Sequence, residues 1–367
     1  MIDWNLLNKL EGKELAADNV TKNTVGPLTL FKYTNGCHIK GRWNEHNIEA
    51  RGIIFNTLTG QIVCRPMSKF FNLGERPDTS IERLPDCSYI VYEKLDGSCG
   101  NAYLSDGQIM IATPGSMESD QAIWATEWLR LHLEYEYNTQ PFKLELEKCT
   151  PVFEIIWPDN PGSNVVNYGD RTELVLLTIR MHTGQEIMPH MVDAFAEKYG
   201  FSRPLTYNHV LSNDMDDTIR KNEEGYVIYY PTVGMRVKVK SSLYKMLHKM
   251  LNQISPKGIV DLIMGREYRH LQDTLEKNCP DMAKQADDIA AALRRKFWDL
   301  KFLAKDIYES AICIEYRDKK KTRKQQAAYI QKNSPQNVWG LVFAMLDEKY
   351  NDELTWSVVK RGLKNER

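Results

Sequence analysis

The hydrophobic period of this chain changes once, at about Ser241, and that change constrains the fold more than any other feature. Up to about residue 240 the chain runs in short β-rich segments divided by turn residues. IEARGIIF (48–55) and QIVCR (61–65) flank NTLTG, a hairpin-like connection. SYIVYEK (88–94), the residues around NAYL (101–104) and QIMIAT (108–113) read as further strands, with SDG (105–107) as a turn. VFEIIW, LVLLTIR, YVIYY and MRVKVK read as later ones. Residues 119–136 and 189–199 carry helical spacing, and Pro189 suits a first helical turn. After Ser241 the pattern is different. Residues 242–252, 258–264, 281–312 and 336–349 show apolar positions three and four apart, and β-branched alternation disappears. The prediction is an α+β domain of antiparallel sheets with flanking helices over 1–244, then an all-α domain over 245–367.

Length and charge agree with two modules. The 367 residues suit two or three domains. From Lys245 onward there are 24 Lys and Arg against 17 Asp and Glu, a net of +7, whereas the front carries 24 against 32, a net of −8. A basic back third points to a polyanion partner there, and six cations fall among residues 317–324. A solvated helix face explains that run equally well. No stretch is apolar enough to span a membrane, and the N-terminus lacks the basic start and apolar run of a secretory signal. Seven scattered cysteines without a C-x-x-C pair argue for reduced thiols, and so for a cytoplasmic protein without a zinc site or disulfide framework. Nothing in the sequence points to an obligate protein partner.

The residues that can carry chemistry cluster in the front. Lys94 ends the SYIVYEK strand and is followed by Leu95, Asp96, Gly97 and Ser98. A lysine amine becomes nucleophilic when neighbouring cations or desolvation lower its pKa. Asp96 could ligand a metal, and Gly97 lets backbone approach a phosphate closely. Taken alone, the tetrapeptide reads as well as a strand running into a turn. Arg51 starts a strand and could be a surface charge. Lys69, between Arg65-Pro66 and two phenylalanines, could mark an amphipathic edge. Glu154 interrupts the apolar strand of residues 151–157, where a carboxylate is costly without a partner or ligand. Glu224 stands immediately before Gly225 and a strand. Arg236, Lys238 and Lys240 alternate on one strand face, which suits either a bound anion or a solvated face.

Together and in this order, these pieces resemble the covalent nucleotidyltransferases, and most closely the bacteriophage RNA ligase 1 family. The likeness rests on Ala50-Arg51-Gly52, Arg65-Pro66 through Asn72, Lys94 through Ser98, Glu154, Glu224-Gly225 and Lys238 to Lys240, and covers roughly residues 30–245. It implies a nucleotidyltransferase (adenylation) domain and an ATP-dependent RNA ligase that joins 5′-phosphate and 3′-hydroxyl ends. Lysyl-AMP and RNA-adenylate would be the intermediates. By resemblance Lys94 is the nucleophile, Glu154 hydrogen-bonds the ribose, and Glu224 organises metal and nucleotide. Lys238 and Lys240 contact phosphates, while Tyr33, Arg51, Lys69 and Tyr244 complete the nucleotide shell. Asp96 and Glu224 are the metal-binding candidates, with Asp273 near the spacing of a C-terminal ligand. Mg²⁺ or Mn²⁺ would bridge phosphate oxygens. Like-charge repulsion from Lys238 and Lys240 is expected to keep Lys94 neutral.

One departure stands out. Where the family commonly has a basic residue, this chain reads Thr113-Pro114-Gly115-Ser116. The resemblance allows repair of a broken tRNA anticodon loop or general joining of single strands, in a host cytoplasm if the gene belongs to a phage. The helical back third, by its charge, is the candidate for choosing the RNA. Two other readings share the lysine or the fold: a capping guanylyltransferase using GTP, and a non-catalytic RNA-binding module.

Overall fold

A computed structural model describes residues 1–12, 19–135, 138–157, 164–209, 211–212, 214–317 and 323–363. The chain divides into two compact units, Met1–Lys245 and Met246–Arg367.

The first unit is α+β and, among the described residues, holds three sheets. Strands β1 (Val20–Val25), β2 (Leu28–Tyr33), β3 (Arg51–Asn56) and β4 (Gln61–Cys64) form one antiparallel sheet in that order. Helix α1 (Trp4–Glu11), capped by the Asp3 carboxylate on the Leu6 N–H at 2.9 Å, packs Leu6, Leu7 and Leu10 against Phe31, Ile53 and Phe55 of this sheet. Helix α2 (Asn35–Lys40) follows β2 and is capped by Thr34. The predicted 56–60 connection is a hairpin between β3 and β4, with one register shift.

The second and third sheets interleave along the chain. Strands β5 (Phe71–Asn72) and β6 (Ile90–Lys94) belong to a five-stranded sheet. Strands β7 (Ser98–Ser105), β8 (Gln108–Ala112), β9 (Cys149–Ile156) and β10 (Glu173–Met181) form a four-stranded sheet, order β10-β9-β7-β8. Asp106 and Gly107, both at positive φ, make the tight turn predicted at 105–107. The chain then returns through β11 (Thr206–Tyr207), β12 (Gly225–Tyr230) and β13 (Met235–Lys240). These complete the five-stranded sheet in the order β11-β6-β12-β13-β5.

Helices cover one face of the β7–β10 sheet. Helix α3 (Asp120–Tyr135) presents Ala125, Leu129 and Leu133, four residues apart, to Ile109, Ile111 and Phe153. Helix α4 (Thr139–Leu146) adds Phe142 and Leu146. Helix α5 (Pro189–Tyr199) starts on Pro189, as its sequence predicts, and stops at left-handed Gly200. Helix α6 (Ser242–Leu251) begins directly after β13.

The second unit is helical: α7 (Pro256–Met264), α8 (Tyr268–Asn278), α9 (Pro280–Arg317), α10 (Arg323–Asn333), α11 (Gln336–Leu346) and α12 (Asp352–Gly362). The long α9 is the spine against which the other five pack. Its Ala304, Ile307 and Ala311 meet Ile330, Val338, Leu341, Val342 and Val358. Of the basic run at 317–324, residues 318–322 lie outside the described residues; Arg323 pairs with Asp347 at 2.5 Å. No helix among the described residues is long and apolar enough to cross a membrane.

Candidate active site

The site is built on the middle of the five-stranded sheet. The register places Gly225 of β12 directly between Lys94 of β6 and Lys240 of β13. Glu224, one residue earlier, therefore reaches both lysines. Its Oε1 lies 2.8 Å from Lys94 Nζ and 2.8 Å from Lys240 Nζ, with the carboxylate almost fully buried. Position 225 has room only for glycine: a Cβ there would sit 1.9 Å from the Val239 carbonyl oxygen, at a φ of +155°. The Glu-Gly pair is thus one device, with the glycine closing the strands and the glutamate clamping two cations.

This clamp overturns one expectation. Burial disfavours charge on Lys94, but Glu224 and Glu154 outweigh it, so its pKa lies above the ordinary lysine value. The cation cluster acts on Lys238 instead. Burial, then Lys69, Lys94, Lys240 and Arg51, push Lys238 down to about 7. Nor do the three cations of β13 face a single anion. Arg236 is held by Glu186 at 2.5 Å over the Tyr229 ring, and Lys240 by Glu224.

Glu154 enters from β9. Its Oε1 accepts the Gly97 N–H at 3.0 Å, and burial, opposed by Lys94, raises its pKa to about 7. Gly97 makes this approach possible, because a Cβ there would meet the Ile155 carbonyl oxygen at 2.4 Å and Glu154 Cγ at 3.0 Å.

Asp96 is placed differently from the metal ligand expected of it. One carboxylate oxygen accepts the Val165 and Val166 N–H groups at 2.6 and 2.9 Å; the other accepts the Tyr244 hydroxyl at 2.8 Å. With both oxygens engaged and the side chain buried, Asp96 ties the turn after Lys94 to the 165–166 segment and α6. Tyr244 is likewise buried beneath Lys240 and reaches the site through Asp96. Asp273 is exposed on α8, in the second unit.

Two hollows meet at this cluster. One, of about 220 Å³, is lined by Lys94, Gly97, Glu154, Phe70, Tyr92, Val227 and Tyr229 among others. The second, of about 880 Å³, is lined by Tyr33, Lys69, Lys238 and Lys240, with Lys32, Lys245 and Pro114 on its walls. Arg51 lines both. Its guanidinium lies 5.6 Å from the Phe70 ring centre, and its buried Nη1 has no hydrogen-bond partner among the described residues. Such a donor costs free energy unless a ligand satisfies it. Lys69 stacks over Trp43 and Phe71, and Tyr33 meets the Trp43 edge at 4.9 Å.

Sequence reasoning missed several supporting residues. Glu49 is buried against Arg65 and Arg180, whose Nη1 also donates to the Pro66 carbonyl, so this triad fixes the 65–72 segment that carries Lys69. Its signal was a glutamate two residues before Arg51 in an apolar run. Tyr168, whose hydroxyl accepts the Asp96 N–H at 2.6 Å, had none.

Residues 49–245, more than half the chain, match the family model described as RNA ligase. The chain belongs to the RNA ligase family. A putative RNA ligase of Thermovibrio ammonificans is 38% identical over 133 residues, which is 36% of this chain and 33% of that protein. The RNA ligase of Rhodothermus phage RM378 is 24% identical over 328 residues, covering 70% of this chain and 73% of that one. The chain thus spans about a third of the first relative and most of the second. An archaeal ATP-dependent RNA ligase of known structure shares 15% identity over 79% of each chain, with a TM-score of 0.49.

Proposed function

We propose that this RNA ligase family member is an ATP-dependent RNA ligase in which Lys94 becomes adenylated, AMP passes to an RNA 5′-phosphate, and a 3′-hydroxyl then displaces it. The observation that carries the reading is the seat of Lys94: its amine lies at the wall of a small hollow, clamped by Glu224 beside a larger cation-lined cleft. The smaller hollow suits a nucleoside and the cleft its phosphates.

In the first step the Lys94 nitrogen bonds to the α-phosphorus as the bond to pyrophosphate breaks. Lys94 must first lose its proton, and Glu224 Oε1, at 2.8 Å, is the nearest acceptor. Arg51, Lys69, Lys238 and Lys240 offset the charge that builds on phosphate oxygens. Glu154, anchored by Gly97, is placed for a ribose hydroxyl.

The described residues contain no group of three metal-ligating side chains placed to hold an ion. Any Mg²⁺ or Mn²⁺ would therefore have to arrive with the nucleotide, and of the metal-binding candidates only Glu224, its Oε1 already engaged by Lys94 and Lys240, would remain to hold it. Such an ion supplies further charge neutralisation at the phosphates.

The first unit would carry adenylylation, and the second, with its net positive charge, would help choose the RNA. The test offers ATP, Mg²⁺ and two RNAs: a nicked tRNA anticodon stem-loop and an unstructured 5′-phosphorylated strand with a 3′-hydroxyl. Sealing of either supports ligation, and their ratio reports the substrate class. Absence of joined product from both, with RNA ends verified, refutes it.

A further inference from the structure

We propose that Lys32 forms a phosphate-binding subsite on the β2 side of the cleft and supplies the cation that the 113–116 turn does not carry. This rests on the ligase reading above and adds a residue to it.

Four observations converge on this lysine. Pro114 and Gly115, at the tip of the turn closed by the Thr113 N–H to the Ser116 carbonyl at 2.9 Å, bring no charge to the cleft. Lys32 lies across that tip. A Cβ on Gly115 would fall 3.1 Å from Lys32 Nζ and 3.9 Å from its Cδ, so the end of the lysine lies close against the turn. The β2–β3 register sets Lys32 opposite Arg51, and both line the same cleft. Like charges opposite one another on neighbouring strands are unfavourable. Finally, Arg51 Nη1, in the lining of the same cleft, is buried without a hydrogen-bond partner among the described residues. An exposed lysine and an arginine with an unsatisfied buried donor line one cleft with Lys69, Lys238 and Lys240 against the carboxylates of Glu75 and Asp216, and this excess of cations is stabilised by an anion of high charge density. A phosphate group has that chemistry.

The phosphate could belong to the nucleotide or to the RNA 5′ end, and two assays separate them. One follows adduct formation from α-labelled ATP as a function of ATP concentration. The other follows transfer of AMP from adenylated protein to 5′-phosphorylated RNA. Lys32→Ala should raise the half-saturating concentration by about tenfold in whichever assay uses the subsite, the loss expected of one hydrogen bond to a charged group. Lys32→Arg should retain most of the affinity. A lysine placed on the turn, Pro114→Lys in the Lys32→Ala background, should recover most of the loss. Melting temperatures identify any variant that has merely unfolded. Wild-type behaviour of Lys32→Ala in both assays would overturn the subsite while leaving the ligase reading intact. A loss that neither arginine at 32 nor lysine at 114 recovers would also overturn it. Failure of the wild-type protein to form an adduct would instead refute the ligase reading.

Discussion

Lys94 Nζ lies 2.8 Å from Glu224 Oε1, so the amine proposed as nucleophile is held as an ammonium by a buried carboxylate. Its pKa is raised despite burial. Adenylylation must then depend on deprotonating Lys94, and its rate should climb with pH. Glu224→Gln removes the larger of the charges that oppose burial, so the lysine pKa falls, with Glu154 still holding part of it up. The variant should form adduct on the order of a hundredfold more slowly, as expected on losing a general base, with its pH profile shifted to lower pH. Single-turnover rates across pH read both quantities, and an unshifted profile would refute the clamp.

Glu154 gives a stability prediction. Burial raises its pKa from 4.5 to about 7 in the folded protein. A carboxyl whose folded pKa lies above its unfolded one contributes stability below pH 4.5 that is lost as pH rises through 7. Glu154→Gln keeps an oxygen for the Gly97 N–H but cannot ionise. Its melting temperature relative to wild type should therefore improve between pH 5 and pH 8. A difference constant over that range would contradict the burial assigned here.

Lys238 should behave as a proton-coupled phosphate ligand. Its pKa of about 7 leaves it largely neutral at pH 8, and an incoming triphosphate favours its charged form. Binding of an ATP analogue blocked between α- and β-phosphorus should take up protons at pH 8. Calorimetry in buffers of different ionisation enthalpy measures this uptake. Lys238→Arg, always charged, should reduce it, and an unchanged uptake would assign the proton elsewhere.

Gly225 and Tyr244 test the scaffold. A Cβ at 225 would meet the Val239 carbonyl at 1.9 Å, so Gly225→Ala should destabilise the first unit by about 2 kcal/mol or more. Tyr244→Phe removes the hydroxyl from Asp96 Oδ1 and should cost about 1–3 kcal/mol. Denaturant midpoints decide both, and wild-type values would refute the packing described.

The sequence showed what is periodic and what is ordered along the chain. β6, β12 and β13 alternate or run apolar, and α5 opens on Pro189 and closes on Gly200, so these could be read. β1 could not, because five of its six residues are exposed and no alternation marks it. α8 was hidden because its polar residues dilute the apolar stripe of Tyr268, Leu271 and Leu275. In the site, Lys94, Glu154 and Glu224 were legible as charges set against apolar strands or a glycine. The direction of the Lys94 pKa was not, since it depends on which strand lies between Lys94 and Lys240. Likewise, Asp96 is an anchor because Val165, Val166 and Tyr244 reach it from distant parts of the chain, which no local pattern reveals.

The central claim is that AMP is carried on Lys94. Incubating the full chain with ATP and Mg²⁺, then mapping its peptides by mass spectrometry, tests this most directly. The account predicts the mass of a single AMP on the peptide containing Lys94 and none in the Lys94→Ala protein. An adduct on another residue, or one that persists in Lys94→Ala, would contradict it.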